Sequence, residues 1–284
     1  MSETSGTRLH SVSRPEADDW IIIPGGPFTM GADGVRPDGR PRSSAPAHTV
    51  QVDTFRIARR PVLVRDFARF IDATSYRTTA ERTGKSSVWI GGRTPDELFP
   101  GNDELWIEMA GATWRTPRGR GSEVTGKQDH PVTHVSLEDC FAYCEWSGTR
   151  MPTEAEWEKA ARGTDRRKFA WGAEPPTPQR CNYGMNVGDT TPVGRYPDAG
   201  GPNGLEDVSG NVWEWTATRW HRYPYSAEKS RAIITHGGRV ELISMRGGSF
   251  FNDCSAMGLS ITSRLYSLPT YTGYDVGFRV CAVD

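Results

Sequence analysis

Hydrophobic positions recur at helical spacing in an early segment of the chain. After Pro61, the residues Val64, Phe67, Phe70 and Ile71 follow one another at intervals of one to three positions. This spacing is close to that of one face of an α-helix. Proline is well tolerated in the first turn of a helix. The pattern therefore predicts a helix that begins near Pro61 and packs its apolar face into the core.

Two further helices are predicted by capping pairs at their starts and glycines at their ends. In a capping box, a small polar residue and a second residue three positions later satisfy each other's backbone N–H groups. The chain offers two pairs of this kind, Ser136 with Asp139 and Thr153 with Glu156. Glycine often ends a helix because it accepts left-handed backbone. Gly148 and Gly163 stand where these two helices are expected to stop.

Strand signals dominate the N-terminal part of the chain. Apolar residues at 20–23 run into the turn sequence Pro-Gly-Gly-Pro, and a second short apolar run follows at 28–31. Two such runs around a turn indicate a β-hairpin. A further strand is predicted over 48–55. Residues 1–19 are polar and show no apolar face, so they are predicted to form a flexible arm. One domain is expected to span residues 20–284.

Composition narrows the fold class. The 284 residues include 31 Gly, 20 Pro and 10 Trp, and few long helical periods occur. Such a chain favours an α+β domain built of loops and short strands around a few helices. The Gly-rich segment 78–129 carries three Trp residues without clear periodicity. Because aromatic residues at this density usually pack, we expect a structured excursion there and not a linker.

Charge and cysteine content limit the classes of partner. The formal net charge is -1, from 34 basic and 35 acidic residues. It gives no electrostatic attraction to nucleic acid or to an acidic membrane surface. No apolar run approaches the roughly 20 residues of a membrane span, and no signal-like segment opens the chain. The five cysteines do not form a secreted disulfide pattern. We therefore expect a cytoplasmic protein with no nucleic-acid or membrane partner, in an oligomeric state that the sequence does not predict.

A series of motifs in fixed order carries a resemblance to a known family. They are PGGPFTMG at 24–31, TSYRTTAE at 74–81, WR at 114–115, DHPVTHVS at 129–136, RMPTEAEWEKAARG at 150–163, GNVWEW at 210–215, RGGSF at 246–250 and GFRV at 277–280. Together these motifs resemble the formylglycine-generating enzyme family, also called the sulfatase-modifying factor family. The resemblance implies a single α+β domain of the modified C-type-lectin-like type, with little regular secondary structure.

The chain departs from the catalytic members of that family at two positions. Those members carry two cysteines that bind Cu(I), three and eight residues after the serine of Arg-Gly-Gly-Ser. Here Asn252 and Met257 stand at these positions, and Cys254 matches neither. Soft Cu(I) needs thiolate or thioether ligands, which Cys254 and Met257 offer in principle. Both residue types are also ordinary core residues. Iron or copper is therefore left open as a cofactor.

Two oxygen-rich segments are candidate sites for structural calcium. Carboxylates and small-residue carbonyls close together suit a hard cation such as Ca²⁺. By the resemblance, one site would use Asp207, Gly210, Val212 and Glu214, and the other Asn182, Tyr183 and Asp189. The alternative is that these Asn and Asp residues satisfy the backbone of their own turns.

A polar surface near the C-terminus is the candidate catalytic or ligand-binding site. Its members are Ser249, Asn252, Asp253, Cys254 and Arg264. In the catalytic relatives this surface binds an extended substrate segment. Arg264 would either bind a ligand carboxylate with two hydrogen bonds or form a structural salt bridge. His221 and His236 are candidates for a redox-metal role, with a solvated or packed histidine as the alternative.

Three functions from different classes follow from these observations. The first is an oxygen-dependent oxidoreductase that modifies a small molecule or peptide with a metal other than the two-cysteine Cu(I) centre. The second is a non-catalytic, calcium-stabilised module that binds a ligand or protein. The third is a genuine formylglycine-generating oxidase, which would require Cys254 and a remote partner to converge. The first is ranked slightly above the second, and the third is ranked last.

Overall fold

A computed structural model describes residues 19–35, 39, 42–91, 106–230, 241–252 and 258–283. Within these ranges the helices are α1 (Val64–Thr74), α2 (Thr79–Thr83), α3 (Leu137–Ser147), α4 (Glu154–Arg162) and α5 (Ala227–Ser230). The strands are β1 (Trp20–Ile23), β2 (Gly26–Met30), β3 (His48–Val52), β4 (Phe55–Ala58), β5 (Lys85–Trp89), β6 (Trp106–Ala110), β7 (Thr149–Arg150), β8 (Trp213–Arg219), β9 (Ile243–Arg246), β10 (Leu265–Ser267), β11 (Val276–Phe278) and β12 (Cys281–Ala282). Short strands and a few helices agree with the predicted α+β class.

The predicted N-terminal strands exist, but the predicted hairpin between them is wrong. β1 pairs with β4 and β2 pairs with β3, both antiparallel. At Gly25 and Gly26 the chain bends but does not reverse its direction. The paired segment bends at the matching point, between β3 and β4. A Cβ atom at Gly25 would lie 2.9 Å from the backbone nitrogen of Thr54, so the two bends pack closely. The Pro-Gly-Gly-Pro sequence therefore makes a corner between two ladders.

Two four-stranded sheets bring distant parts of the chain together. One has the strand order β1-β4-β12-β7, and the other has the order β10-β9-β8-β11. The first sheet joins the N-terminal strands to the last strand of the chain. In the second, β11 runs parallel to β8 and pairs Gly277 with Glu214. This pairing brings the C-terminal motif against the central Gly-Asn-Val-Trp-Glu-Trp motif.

The predicted helices are confirmed with their caps. α1 starts three residues after Pro61 and buries Val64, Phe67, Phe70 and Ile71. α3 and α4 begin with complete capping boxes at Ser136 and Thr153. Gly148 ends α3 in left-handed backbone at φ 65°, and Gly163 ends α4 at φ 69° and ψ -145°.

Aromatic side chains from α1, α3 and the segment between them form the centre of one core cluster. Phe67 is fully buried. Its ring lies 5.3 Å from those of Phe70 and Trp114 and 6.0 Å from that of Tyr143. Burying a side chain of this size stabilises a fold by about 2 to 3 kcal/mol. Trp114 thus belongs to the core, as expected for the Trp-rich excursion.

The predicted arm at 1–19 lies outside the described residues except for Asp19. Asp19 forms an ion pair with Arg60. No helix in the described part of the chain is long and apolar enough to cross a membrane.

Candidate functional site

The segment after β9 makes a tight turn that places Ser249 inside the protein. Gly247 and Gly248 have φ angles of 101° and 74°, which glycine adopts without strain. A Cβ atom at Gly248 would lie 2.2 Å from the carbonyl oxygen of Gly258. Only glycine allows this close approach, so the Arg-Gly-Gly-Ser motif fixes where the serine lies.

Ser249, Asn252 and Asp275 form one hydrogen-bonded group. The Ser249 hydroxyl donates to Asp275 Oδ2 at 2.8 Å and also lies 3.0 Å from Asn252 Oδ1. The backbone N–H of Ser249 donates to the same amide oxygen at 2.8 Å. Asn252, at the position of the first family cysteine, therefore turns its side chain back onto Ser249. The result is a group of oxygen and nitrogen atoms at a place where the catalytic relatives carry a thiol.

Asp275 is the unusual member of this group. It is 6% exposed, and no basic side chain pairs with it in the described part of the chain. Burial raises the pKa of its carboxyl to about 6, against a smaller opposing effect of the hydrogen bond from Ser249. Tyr271 lies nearby, and burial together with the charge of Asp275 raises the pKa of its phenol. Asp275 can therefore accept or hold a proton near neutral pH, while Tyr271 stays protonated.

Aromatic residues form a wall beside the polar group. The Phe251 ring lies 4.5 Å from that of Trp89 and 5.1 Å from that of Trp106. Phe250 packs against Tyr274 at 5.4 Å. This aromatic wall comes from β5, β6 and the segments around Ser249 and Asp275. Ser249 itself is fully buried, so water is excluded from it.

Asp253, Cys254 and Met257 lie outside the described residues, as does His236. The candidate surface is therefore defined by Ser249 and Asn252 from the predicted set, with Asp275 and Tyr271 added. No motif in the sequence singled out these two residues. Asp275 directly precedes β11, and its burial depends on the pairing of β11 with β8.

Arg264 does not join the Ser249 group but forms the structural salt bridge, which was one of its two predicted roles. Its Nε and one terminal nitrogen donate to both oxygens of Glu154 at 2.6 and 2.9 Å. The carbonyls of Ser43 and His221 accept two further bonds at 2.8 and 3.1 Å. Four of the five guanidinium donors are thus used. The side chain is buried, so the structural salt bridge is the reading that holds.

Glu154 belongs to a buried chain of charges under α4. Arg246 reaches both Glu154 and Glu158, and Arg162 donates to Glu158 at 3.1 Å. These groups alternate in sign and are at most 4% exposed. Because a buried charge is tolerated when it is paired, the network accounts for the arginine of the Arg-Gly-Gly-Ser motif as a structural residue.

The cysteines of the described ranges lie in the interior of the protein. Cys140, Cys144, Cys181 and Cys281 are all free and buried. Burial raises the pKa of each thiol, to about 12 for Cys144 and Cys181. Buried free cysteines are ordinary core residues, as predicted for Cys140 and Cys144.

His221 uses both ring nitrogens for hydrogen bonds. Nδ1 lies 2.8 Å from the carbonyl of Arg222, and Nε2 lies 2.9 Å from the hydroxyl of Ser230. A metal would have to displace one of these partners. Within the described residues, no three His, Cys, Asp or Glu side chains form a group that could hold a metal ion.

The first predicted calcium set is already neutralised by a basic residue. Arg279 donates to both oxygens of Glu214 at 2.6 and 2.7 Å, and Trp157 Nε1 donates to Oε2 at 2.7 Å. A divalent cation at Glu214 would sit beside a guanidinium. Burial raises the pKa of the nearby Asp207 carboxyl to about 7, so this group carries only part of a negative charge near neutral pH. Gly210 and Val212 lie in the same turn, but these oxygens do not fit an open calcium site.

The second predicted set fits a cation better. Asn182 is 1% exposed, and its Oδ1 has no hydrogen-bond partner in the described part of the chain. Its Nδ2 donates to the carbonyl of Asp189 at 2.7 Å, which keeps Oδ1 turned elsewhere. The carboxylate of Asp189 is paired with Lys127 at 2.6 Å. Burial opposes the charge on Asp189, but Lys127 and the hydrogen bonds from Tyr274 and the Thr190 backbone together outweigh burial and lower the pKa of this carboxyl. Among the described residues, Asn182 Oδ1 is thus the unpartnered oxygen of this set, while Lys127 is paired with the Asp189 carboxylate.

The amino-acid sequence of this chain is similar to those of several known proteins. The family model of the sulfatase-modifying factor enzyme 1-like domain matches residues 7–283. The formylglycine-generating enzyme of Thermomonospora curvata is 38% identical, over 94% of each chain. The inactive C-alpha-formylglycine-generating enzyme 2 of Bos taurus is 33% identical, over 92% of this chain and 87% of that protein. The hercynine oxygenase of Mycolicibacterium smegmatis is 34% identical, over 72% of this chain and 46% of that protein.

A solved structure shows the same fold. PvdO from Pseudomonas aeruginosa aligns with a TM-score of 0.65 and 26% identity, over 92% of this chain and 93% of that chain. The predicted fold class, a single α+β domain of this type with little regular secondary structure, is confirmed.

Proposed function

This chain belongs to the formylglycine-generating enzyme family, and on that premise we propose that it is an oxygen-dependent oxidoreductase. It modifies a small molecule or a peptide with a metal other than the two-cysteine Cu(I) centre. The observation that carries the proposal is the Ser249, Asn252 and Asp275 group, which replaces a thiol with oxygen and nitrogen atoms beside the aromatic wall. The similarity to a hercynine oxygenase supports oxygen chemistry on this fold.

The residues of the chain have separate roles in this proposal. The aromatic wall of Trp89, Trp106 and Phe251 binds the apolar part of the substrate and excludes water. Asp275, with its pKa of about 6, accepts a proton from the substrate through the Ser249 hydroxyl. A general base acts best when its pKa lies near the working pH. A bound redox metal would supply the activation of oxygen.

Oxygen consumption by the metal-loaded protein tests the proposal. The full chain is stripped with a chelator and given one equivalent of Fe(II) or Cu(I). Oxygen uptake is then followed with hercynine plus cysteine, and with a cysteine-containing peptide. We expect substrate-dependent uptake with one metal, and a loss of about 100-fold in Asp275→Ala, the typical effect of removing a general base. Asp53→Ala, at an exposed loop position, is the matched control. If no metal stays bound and no uptake depends on substrate, the proposal fails.

A calcium-stabilised binding module is the second candidate function. It is supported by the buried Oδ1 of Asn182, which has no partner within the described ranges, and by the similarity to an inactive member of the family. Calcium at a hundredfold excess over its Kd would stabilise the fold by about 2.7 kcal/mol. We expect a higher melting temperature with calcium than with a chelator, and no such difference in Asn182→Leu. If the melting temperature is the same with calcium and with a chelator, calcium does not stabilise the fold and this candidate function loses its support.

Formylglycine generation is the least supported of the three functions. It would need Cys254 and a second thiol, and the four cysteines of the described ranges are buried and protonated. If the native protein binds one Cu(I) per chain and Cys254→Ser does not, formylglycine generation would again be a supported function.

A further inference from the structure

A cavity lies between the N-terminal corner and the C-terminal end of α4. Its volume is about 330 Å³. Ile23, Pro24, Pro27 and Pro202 form apolar walls, and Lys159 lies among the lining residues. Gly163 and Pro202 pack tightly on one side, because a Cβ atom at Gly163 would lie 2.9 Å from Pro202 Cγ. The cavity is lined by none of the residues of the Ser249 group.

Lys159 is the unusual feature of this cavity. The residue is 5% exposed, and its Nζ donates to the carbonyl of Gly26 at 2.9 Å. An ammonium has three donors, and no carboxylate pairs with this one in the described part of the chain. Burial lowers the pKa of Lys159. Lysines are rarely buried without a partner of opposite charge, because an uncompensated charge is costly away from water.

The charges around the cavity leave a single positive charge to be matched. Asp165 lies at the rim, and Arg167 donates to both of its carboxylate oxygens. On α4, Glu158 and Arg162 pair with each other and lie in the buried network. Only Lys159 is therefore left without a counter-charge among these groups. A single negative charge matches the single ammonium of Lys159, and a second negative charge on the same ligand would find no further unpaired cation among these groups.

We propose that this cavity binds a small monocarboxylate, whose carboxylate accepts hydrogen bonds from Lys159 Nζ and whose apolar body packs against Ile23 and the prolines. The volume is at the small end of the range of ligand pockets, about 300 to 1,000 Å³. A compact acid with an aliphatic or aromatic body fits this space. The proposal is independent of the oxidoreductase function, because it uses neither the Ser249 group nor a metal.

Binding of matched acid and amide probes tests the proposal. Hexanoate and benzoate are titrated into the full chain, with hexanamide and benzamide as uncharged controls, and binding is followed by calorimetry and ligand-observed NMR. We expect at least one acid to bind and its amide to bind about 10 to 100 times more weakly, the usual effect of losing a hydrogen bond to a charged group. Lys159→Met should weaken the binding of the acid by the same factor. Lys168→Met, at an exposed lysine over the Phe169 ring, should change nothing.

A second measurement uses the unchanged protein, so it holds even if Lys159→Met does not fold. The lysines are methylated reductively with ¹³C-formaldehyde, and the Lys159 signal is identified by peptide mapping. The acid that binds should slow the methylation of Lys159 but not of Lys168, and its amide should not. The proposal is overturned if acid and amide bind equally, if Lys159 is not protected, or if every acid binds more weakly than about 10 mM.

Discussion

Replacing Asp275 with Asn separates the charge of this buried carboxyl from its shape. Asn has the same size and still offers an oxygen to the Ser249 hydroxyl, which donates to Asp275 Oδ2 at 2.8 Å. The substitution removes the negative charge of the carboxylate. In the native protein Asp275 is 6% exposed, and this carboxylate has no basic partner in the described ranges. The variant therefore reports the free energy of keeping that charge buried.

The magnitude follows from the pKa of Asp275, which burial raises from 3.8 to about 6. The folded protein holds the proton in a pH window where the unfolded chain has already lost it. The native Asp275 is therefore most favourable to folding below about pH 4, and this contribution is lost as the pH rises through 6. Above that window, the ionised carboxyl destabilises the fold by about 3 kcal/mol, since each pKa unit corresponds to about 1.4 kcal/mol. Asp275→Asn avoids this effect.

Urea unfolding at two pH values measures the effect. We expect Asp275→Asn to be more stable than the native protein by up to about 3 kcal/mol near pH 8, and to show no gain near pH 4. The transition is followed by tryptophan fluorescence, and the midpoints are converted with the measured slopes. Asp53→Asn, at an exposed loop position, should leave the midpoint unchanged at both pH values. An equal shift of Asp275→Asn at both pH values would refute the reasoning, because the effect would then not come from the charge.

Three other outcomes follow from the same structure. Arg279→Met leaves Glu214 buried without its partner, and it should lower the free energy of unfolding by about 3 to 5 kcal/mol in urea titrations. The pKa of His134 is lowered by burial to about 3, so the unfolded chain gains a proton first as the pH falls. The native protein should lose about 2 kcal/mol between pH 7 and 5 through this residue, and His134→Gln should lose that much less. Thr153→Ala removes the N-cap of α4, and calorimetry should show a loss of about 1 kcal/mol.

Local structure was largely readable from the sequence. The helices α1, α3 and α4 were predicted because their signals act within a few residues: the apolar spacing after Pro61, the capping pairs and the terminal glycines. The first two strands were predicted for the same reason. The pairing partners of these strands were not predicted, because the same Pro-Gly-Gly-Pro sequence can form either a hairpin turn or a bend between two strand pairs. Strand pairing depends on residues far along the chain, since Met30 pairs with His48 and Ile23 pairs with Phe55.

The candidate site divides in the same way. The sequence by itself determined the family, the loss of the two-cysteine pattern at Asn252 and Met257, and the position of Ser249 after two glycines. Only the tertiary structure showed that Arg264 pairs with Glu154 and that Arg279 neutralises Glu214. It also showed that Asp275 and Lys159 are buried with no counter-charge among the residues that the structure describes. A motif consists of neighbouring residues, so the sequence shows it directly. The partner of a charge is a residue far away in the chain, and a shifted pKa depends on burial, so both are visible only in the folded structure.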